Sequence, residues 1–202
     1  MIKKMTAILS ALLLMSGAAT VAIAQIAPDA LVKSTVDEVL CVIKANKDRR
    51  LLNDVVEKKV LPHFDFQAMT RQAVGRHWRE ATSAQQRSLE NAFRALLVTT
   101  YTTALTQSST ADQTVEVRPL VVRPADDDVT VRTLEKDSSR KPLAVDYRLA
   151  KAANAWKVYD VVVENLSLVT NYRDSFNSEI GRAGIDGLIK AQEAKNRVNA
   201  AG

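Results

Sequence analysis

Cysteine is nearly absent: Cys41 is the only one in 202 residues. One cysteine forms no intramolecular disulfide, so a hydrophobic core alone must hold the fold. Histidine is as scarce, with His63 and His77 and no others. Neither has a second ligand at a metal-like spacing, which argues against a metal site of the usual three- or four-ligand kind. Of the six glycines, none forms a glycine-rich loop behind a strand, so a nucleotide cradle is not expected. No Gly-x-Ser-x-Gly elbow is present either. There is no internal repeat, no low-complexity tract and no Pro/Gly-rich linker. The net charge of +5 is only weakly basic, whereas nucleic-acid binders gather Lys/Arg on one face, so nucleic acid is not an expected partner.

The one apolar run of note lies at the start. Lys3 and Lys4 precede a short apolar stretch from Ile8 to Met15, and Ala22-Ile23-Ala24 supplies the small-x-small pattern that signal peptidase cuts after. Residues 1–24 therefore read as a signal peptide, Gln25 as the first mature residue, and the periplasm as the destination. The run is too short to span a hydrocarbon layer of about 30 Å as a helix. Cys41 is no lipoprotein anchor, because Leu40 stands where a small residue would be required. Removing the leader takes away two lysines and no acid, which leaves a weakly basic protein suited to brief contact with an acidic surface or partner.

Residues 25–202 read as one domain, helical over 29–107, strand-forming over 114–163 and helical again over 168–198. Val32, Val36, Val39, Leu40 and Ile43 form one stripe of a first helix from Asp29 to about Asn46, with Cys41 on the opposite side. A second helix runs from Leu51 to Leu61, where Pro62 stops it. A third spans Phe64 to Gly75. Ser83 and Gln86 have the spacing of a capping box and open the longest helix, to about Thr106. The period then changes to two. Residues 114–122, 129–136, 143–151 and 155–163 read as valine-rich strands joined by short polar turns, hence antiparallel. The fold class is α+β: helices packed on a curved antiparallel sheet of about four strands, cone-like around an apolar interior.

A small isomerase of similar outline would need an acid such as Asp146 or Asp160 facing a tyrosine. Asp146 alternates with Leu143, Val145, Tyr147 and Leu149, so it points away from the interior. For Asp160 the plainer reading is an acid that pairs with an arginine or caps a helix. The run Asp126-Asp127-Asp128 lacks the residues of a calcium loop and reads as a solvated turn. No catalytic residue is assigned.

Three segments in order carry a resemblance. They are Val60-Leu61-Pro62-His63-Phe64-Asp65-Phe66, then Gly75-Arg76-His77-Trp78-Arg79-Glu80-Ala81-Thr82 with Gln86, Arg87, Phe93 and Tyr101, and then Trp156 through Val169 with Asn171-Tyr172-Arg173-Asp174-Ser175-Phe176. Together with Gly184-Ile185-Asp186-Gly187-Leu188-Ile189, they resemble the MlaC (toluene-tolerance) family. Asn165 stands where that family usually has glycine, and asparagine tolerates the left-handed backbone such a turn requires. The resemblance implies a soluble, non-enzymatic periplasmic carrier without a cofactor, whose cargo is phospholipid. It implies exchange between an outer-membrane lipoprotein–porin complex and the lipid-binding ring protein of an inner-membrane ABC transporter, usually in the inward direction, and a part in outer-membrane lipid asymmetry. Some relatives are associated with hopanoids instead.

The physics of such cargo is demanding. At about 0.8 kcal/mol per methylene, two chains of about 15 methylenes each represent roughly 24 kcal/mol of exposed surface. A carrier must enclose the tails and can leave the headgroup wet. Periodicity alone favours a filled interior; the resemblance turns the reading to a cavity. Alternation then nominates Val145, Tyr147 and Leu149 as lipid-contacting, with Val117 and Val131 from neighbouring strands. Val161, Val163, Leu166 and Tyr172 are added from the fourth strand and beyond, where the facing is ambiguous, and Leu97 and Tyr101 from the long helix. Alternatives are a periplasmic adaptor with a solid core and the isomerase already weighed.

Overall fold

The computed structural model describes residues 25–46, 49–108, 112–153 and 155–201. The predicted leader, residues 1–24, lies outside the described residues.

Helix α1 (Pro28–Asn46) is followed by α2 (Arg49–Val55). Pro62 does not simply end α2. Ahead of it the chain widens into a π-turn over Val56–Val60 and then tightens into a 3-10 turn over Leu61–His63. Helix α3 (Phe66–Val74) begins two residues later than predicted, because Asp65 caps it by accepting from the Ala68 N–H at 2.8 Å. Gly75 ends it with φ 63° and ψ −131°, a backbone conformation that glycine, lacking a Cβ, adopts without strain. Helix α4 (Ser83–Ser108) starts one residue off the predicted capping box. Thr82 and Gln85 form the box, with Gln85 N–H donating to Thr82 Oγ1 at 3.2 Å and Thr82 N–H to Gln85 Oε1 at 2.9 Å. Gln86 instead donates to the Trp78 carbonyl at 2.8 Å.

Five strands form an antiparallel meander in chain order: β1 (Thr114–Val117), β2 (Asp128–Asp137), β3 (Arg140–Ala152), β4 (Ala155–Val163) and β5 (Leu166–Ser167). Strand β1 is shorter than expected. Pro119 has no N–H to offer the ladder, and Leu120 N–H turns aside to Asp29 Oδ2 on α1 at 3.1 Å. The added strand β5 follows a two-residue turn in which Glu164 and Asn165 both have positive φ, 48° and 67°, as a tight hairpin requires. Two irregularities bend the sheet. Register slips near Lys136 in β2, and at Tyr159 in β4, which is the extra residue between Asp160, opposite Arg148, and Val158, opposite Leu149. Bulges of this kind raise local twist, and the sheet curls without closing. Its β4 edge is covered where Asp65 N–H donates to the Val158 carbonyl at 2.8 Å.

Helix α5 (Leu168–Ala201) carries a break at Gly184 (φ 71°, ψ −178°). Its second half lies along α4, with Asn196 Nδ2 donating to the Ala92 carbonyl at 2.8 Å and Gln85 Nε2 to Asp186 Oδ1 at 2.8 Å.

Two separate cores result. One is helical and centres on Phe93, Met69, Leu89, Leu96, Val169 and Phe176. The other joins Val129, Val131, Leu149 and Trp156 of the sheet to Leu31 and Val32 of α1.

Candidate functional site

Between the two cores lies a cavity of about 430 Å³, inside the usual range for small-molecule sites of roughly 300–1,000 Å³. Its walls come from the inner face of the sheet, from α1, from the Val56–Met69 region and from the second half of α4. The lining is overwhelmingly apolar, with few polar exceptions.

The inner face of the sheet is filled at one end and hollow at the other. In β2 and β3 every second residue points inward. Val129, Val131 and Leu149 press against α1, whereas Thr133, Leu143, Val145 and Tyr147 border the open space. In β4 the extra residue Tyr159 resets the alternation, so that Val158 and then Val161 and Val163 all line the cavity. Simple period-two counting could not have found this.

Six of the nominated residues are brought together in the lining: Leu97, Tyr101, Val145, Tyr147, Val161 and Val163. Five are not. Val131 and Leu149 are fully buried in the sheet–α1 core, and Val117 packs against that same cluster. Tyr172 belongs to the helical core, edge-on to Phe93 at 5.0 Å between ring centres. Leu166 pairs with Val163 across the β4–β5 hairpin but is 74% exposed, because β5 is only two residues long and ends the sheet there. The larger omission is α1. Its stripe Val32, Val36, Val39, Leu40 and Ile43 lines the cavity in full. The stripe was legible as apolar, but nothing in its spacing distinguishes a helix that borders a void from one that fills a core.

Burial in this space has electrostatic consequences. It pushes the Tyr147 phenol up to about 12, with the Glu135 carboxylate adding to the shift. Tyr101, at 41% exposure the most open of the six, is also raised to about 12, by burial and by the neighbouring Tyr172. Burial and the adjacent Lys157 lower His63 below its ordinary value, so this cavity residue is neutral at neutral pH.

Of the two acids weighed for catalysis, Asp160 has structural partners. Asp160 is 1% exposed. It accepts from Ser167 Oγ at 2.7 Å, from the Val169 N–H at 3.2 Å and from Arg148 Nη1 at 3.3 Å. It thus both caps the start of α5 and pairs with an arginine. Asp146 sits on the other face of β3, opposite Arg132 and Val162. Asp126 accepts from the Arg123 N–H at 2.8 Å to close a surface turn. Among the described residues no cluster of three potential metal ligands occurs, and no helix is long and apolar enough to cross a membrane. Cys41 is exposed.

The family model described as MlaC protein matches residues 33–194. The intermembrane phospholipid transport system binding protein MlaC of Haemophilus influenzae is 22% identical over 185 residues, covering 87% of this chain and 86% of that protein. Among solved structures, a phospholipid-binding protein from Ralstonia solanacearum, in complex with a phospholipid, is 35% identical. It superposes with a TM-score of 0.75 over 85% of this chain and 98% of the other.

Proposed function

The chain belongs to the MlaC family, and from that premise we propose that it is a periplasmic phospholipid carrier. It encloses acyl chains in the cavity between its two cores and moves them between an outer-membrane lipoprotein–porin complex and the ring protein of an inner-membrane ABC transporter. The observation that carries this reading is the hollow, apolar half of the sheet's inner face. A chain built only to fold would have closed that space, because voids forfeit both transfer energy and dispersion contacts. In this reading the tails lie against Leu97, Tyr101, Val145, Tyr147, Val161 and Val163, together with the α1 stripe, and the protein performs no chemistry on its cargo.

The test is mass spectrometry of the organic extract from protein purified gently from the periplasm. Near-stoichiometric phospholipid is expected; extract free of lipid would leave an adaptor with an unused cavity. N-terminal sequencing of the same material should begin at Gln25, and an exported form that retains Met1 would refute the predicted cleavage.

A further inference from the structure

The outer side of α3 carries a second recess, lined by Arg71, Gly75, Arg76, Trp78 and Arg79. Local geometry explains the grouping. Arg71 stands in the last turn of α3, and the Gly75 N–H donates to its carbonyl. The chain then tightens into a 3-10 turn over Gly75–Arg79. At about three residues per turn, Arg76 and Arg79 fall on one side of it. Trp78 packs against the helical core, and its carbonyl accepts from Gln86 Nε2 at 2.8 Å. The Glu80 and Ala81 N–H groups both donate to the His77 carbonyl, each at 3.1 Å. The turn is therefore held in place without a ligand. Helix α3 itself stands between this recess and the cavity. Met69 lines the cavity, and Arg71 projects about 200° round the helix from it.

The recess combines unanswered charge with room. Three guanidiniums line it and no carboxylate does. Elsewhere Arg94, Arg123, Arg140, Arg148 and Arg182 each pair with an acid. Among the described residues, Arg71 and Arg79 have no acidic partner. Arg76 Nε lies 3.4 Å from His77 Nε2, and the acid next along the chain, Glu80, is turned to the other ring nitrogen, 2.7 Å from His77 Nδ1. Like charges gathered around one space repel, which costs stability until an anion answers them. The space itself is kept open by Gly75, where an added Cβ would meet nothing within 4 Å.

We propose that this recess binds a phosphate group, with the Arg71 and Arg79 guanidiniums donating to its oxygens and Arg76 adding positive charge. A guanidinium fork matches two phosphate oxygens. A carboxylate presents two oxygens in one plane. A tetrahedral phosphate can be met from several sides, as guanidiniums from a helix end and from the turn beyond it require. The phosphate belongs either to a lipid headgroup at a membrane surface or to a phosphate compound free in solution. Because α3 stands between recess and cavity, the site is separate from the cargo space and does not depend on the carrier reading.

The experiment uses the mature protein as purified. It is titrated calorimetrically with inorganic phosphate at fixed ionic strength, and in parallel floated with phosphatidylglycerol vesicles. Phosphate binding should saturate at one per chain. Arg71→Gln and Arg79→Gln should each weaken it about tenfold, the scale of one hydrogen bond between charged partners, and should leave the lipid content of the purified protein unchanged. Both side chains are exposed and have no acidic partner to lose, so both variants should keep the wild-type circular dichroism. Vesicle binding that both variants lose supports the site and assigns the phosphate to a lipid headgroup. Phosphate binding without vesicle binding supports the site and assigns it to a soluble compound. No saturable phosphate binding, or binding that both variants retain in full, overturns the inference. Vesicle binding without phosphate binding is the diffuse attraction of a basic surface and overturns it too. A variant that loses bound phospholipid places its guanidinium against the cargo and overturns the assignment of a separate site.

Discussion

Val131 and Val145 lie on the same inner face of neighbouring strands. Val131 is opposite Tyr147 and Val145 is opposite Thr133, so the two are only a step apart in the register. Their surroundings differ: Val131 is fully buried in a filled core, and Val145 borders the cavity. The same substitution should therefore have two outcomes. Val131→Glu buries an unpaired carboxylate and should cost several kcal/mol, so the variant fails to accumulate. Val145→Glu should fold, because water can enter an emptied cavity, but should lose its phospholipid. Circular dichroism and lipid extraction on both variants check this, and a Val145→Glu protein with its full lipid load would contradict it. Tyr147 supplies a pH prediction. Its phenol is raised to about 12 in the fold, against about 10 unfolded. Below pH 10 both states hold the proton and nothing is lost. Between about pH 10 and 12 the unfolded chain releases it first, so stability falls as pH rises. Tyr147→Phe should flatten that part of the stability curve in alkaline urea titrations. The identity of these inward residues was legible from alternation in β2 and β3. Whether each met a neighbour or empty space was not, because alternation encodes a face and not what lies opposite it.

At the scale of elements, capping and turn chemistry read well where the signal was local. Gly75 ends its helix as expected, and Asn165 adopts the left-handed backbone its place in the hairpin demands. The errors came where two chemically similar residues stood side by side. Ser83 and Gln86 lost the capping role to Thr82 and Gln85 by a single residue, since both pairs have the spacing of a capping box. The bulge at Tyr159 had no signature of glycine or proline, so the facing of β4 stayed ambiguous. Helix α5 offers a clean comparison of its own glycines. Gly181 has ordinary helical geometry, and an added Cβ would meet nothing within 4 Å. Gly181→Ala should therefore stabilise the protein by up to about 1 kcal/mol. Gly184 has equal space but holds φ 71° with ψ −178°, a region reserved almost entirely for glycine. Gly184→Ala should cost about 1–3 kcal/mol by straining the break that lets the second half of α5 lie along α4. Thermal melts of the two variants should move in opposite directions; shifts of the same sign would mean that the break is not fixed by the backbone of Gly184.

For the whole molecule, the order of helices, meander and helices was enough to predict an α+β fold with a curved antiparallel sheet. Its division into two cores was not, because a core is defined by which faces meet, and α1 meets both the sheet and the void. If the carrier reading holds, cargo bound by the native state alone should stabilise it by RT ln(1 + [L]/Kd). Protein as purified should melt at a higher temperature than the same protein after verified delipidation. Identical melting temperatures would indicate that the space contributes no binding energy.

The same space also makes volume a thermodynamic variable. Internal void eliminated on unfolding gives the denatured state the smaller volume, and hydrostatic pressure favours whichever state occupies less. A cavity of about 430 Å³ that stands empty is thus a point of mechanical weakness, which cargo would remove by filling it. Followed by the fluorescence of Trp78 and Trp156, delipidated protein should unfold at a lower pressure than loaded protein. Coincident transitions would mean that the emptied chamber floods with water or collapses, and the protein between deliveries would then be a different shape from the one that carries lipid.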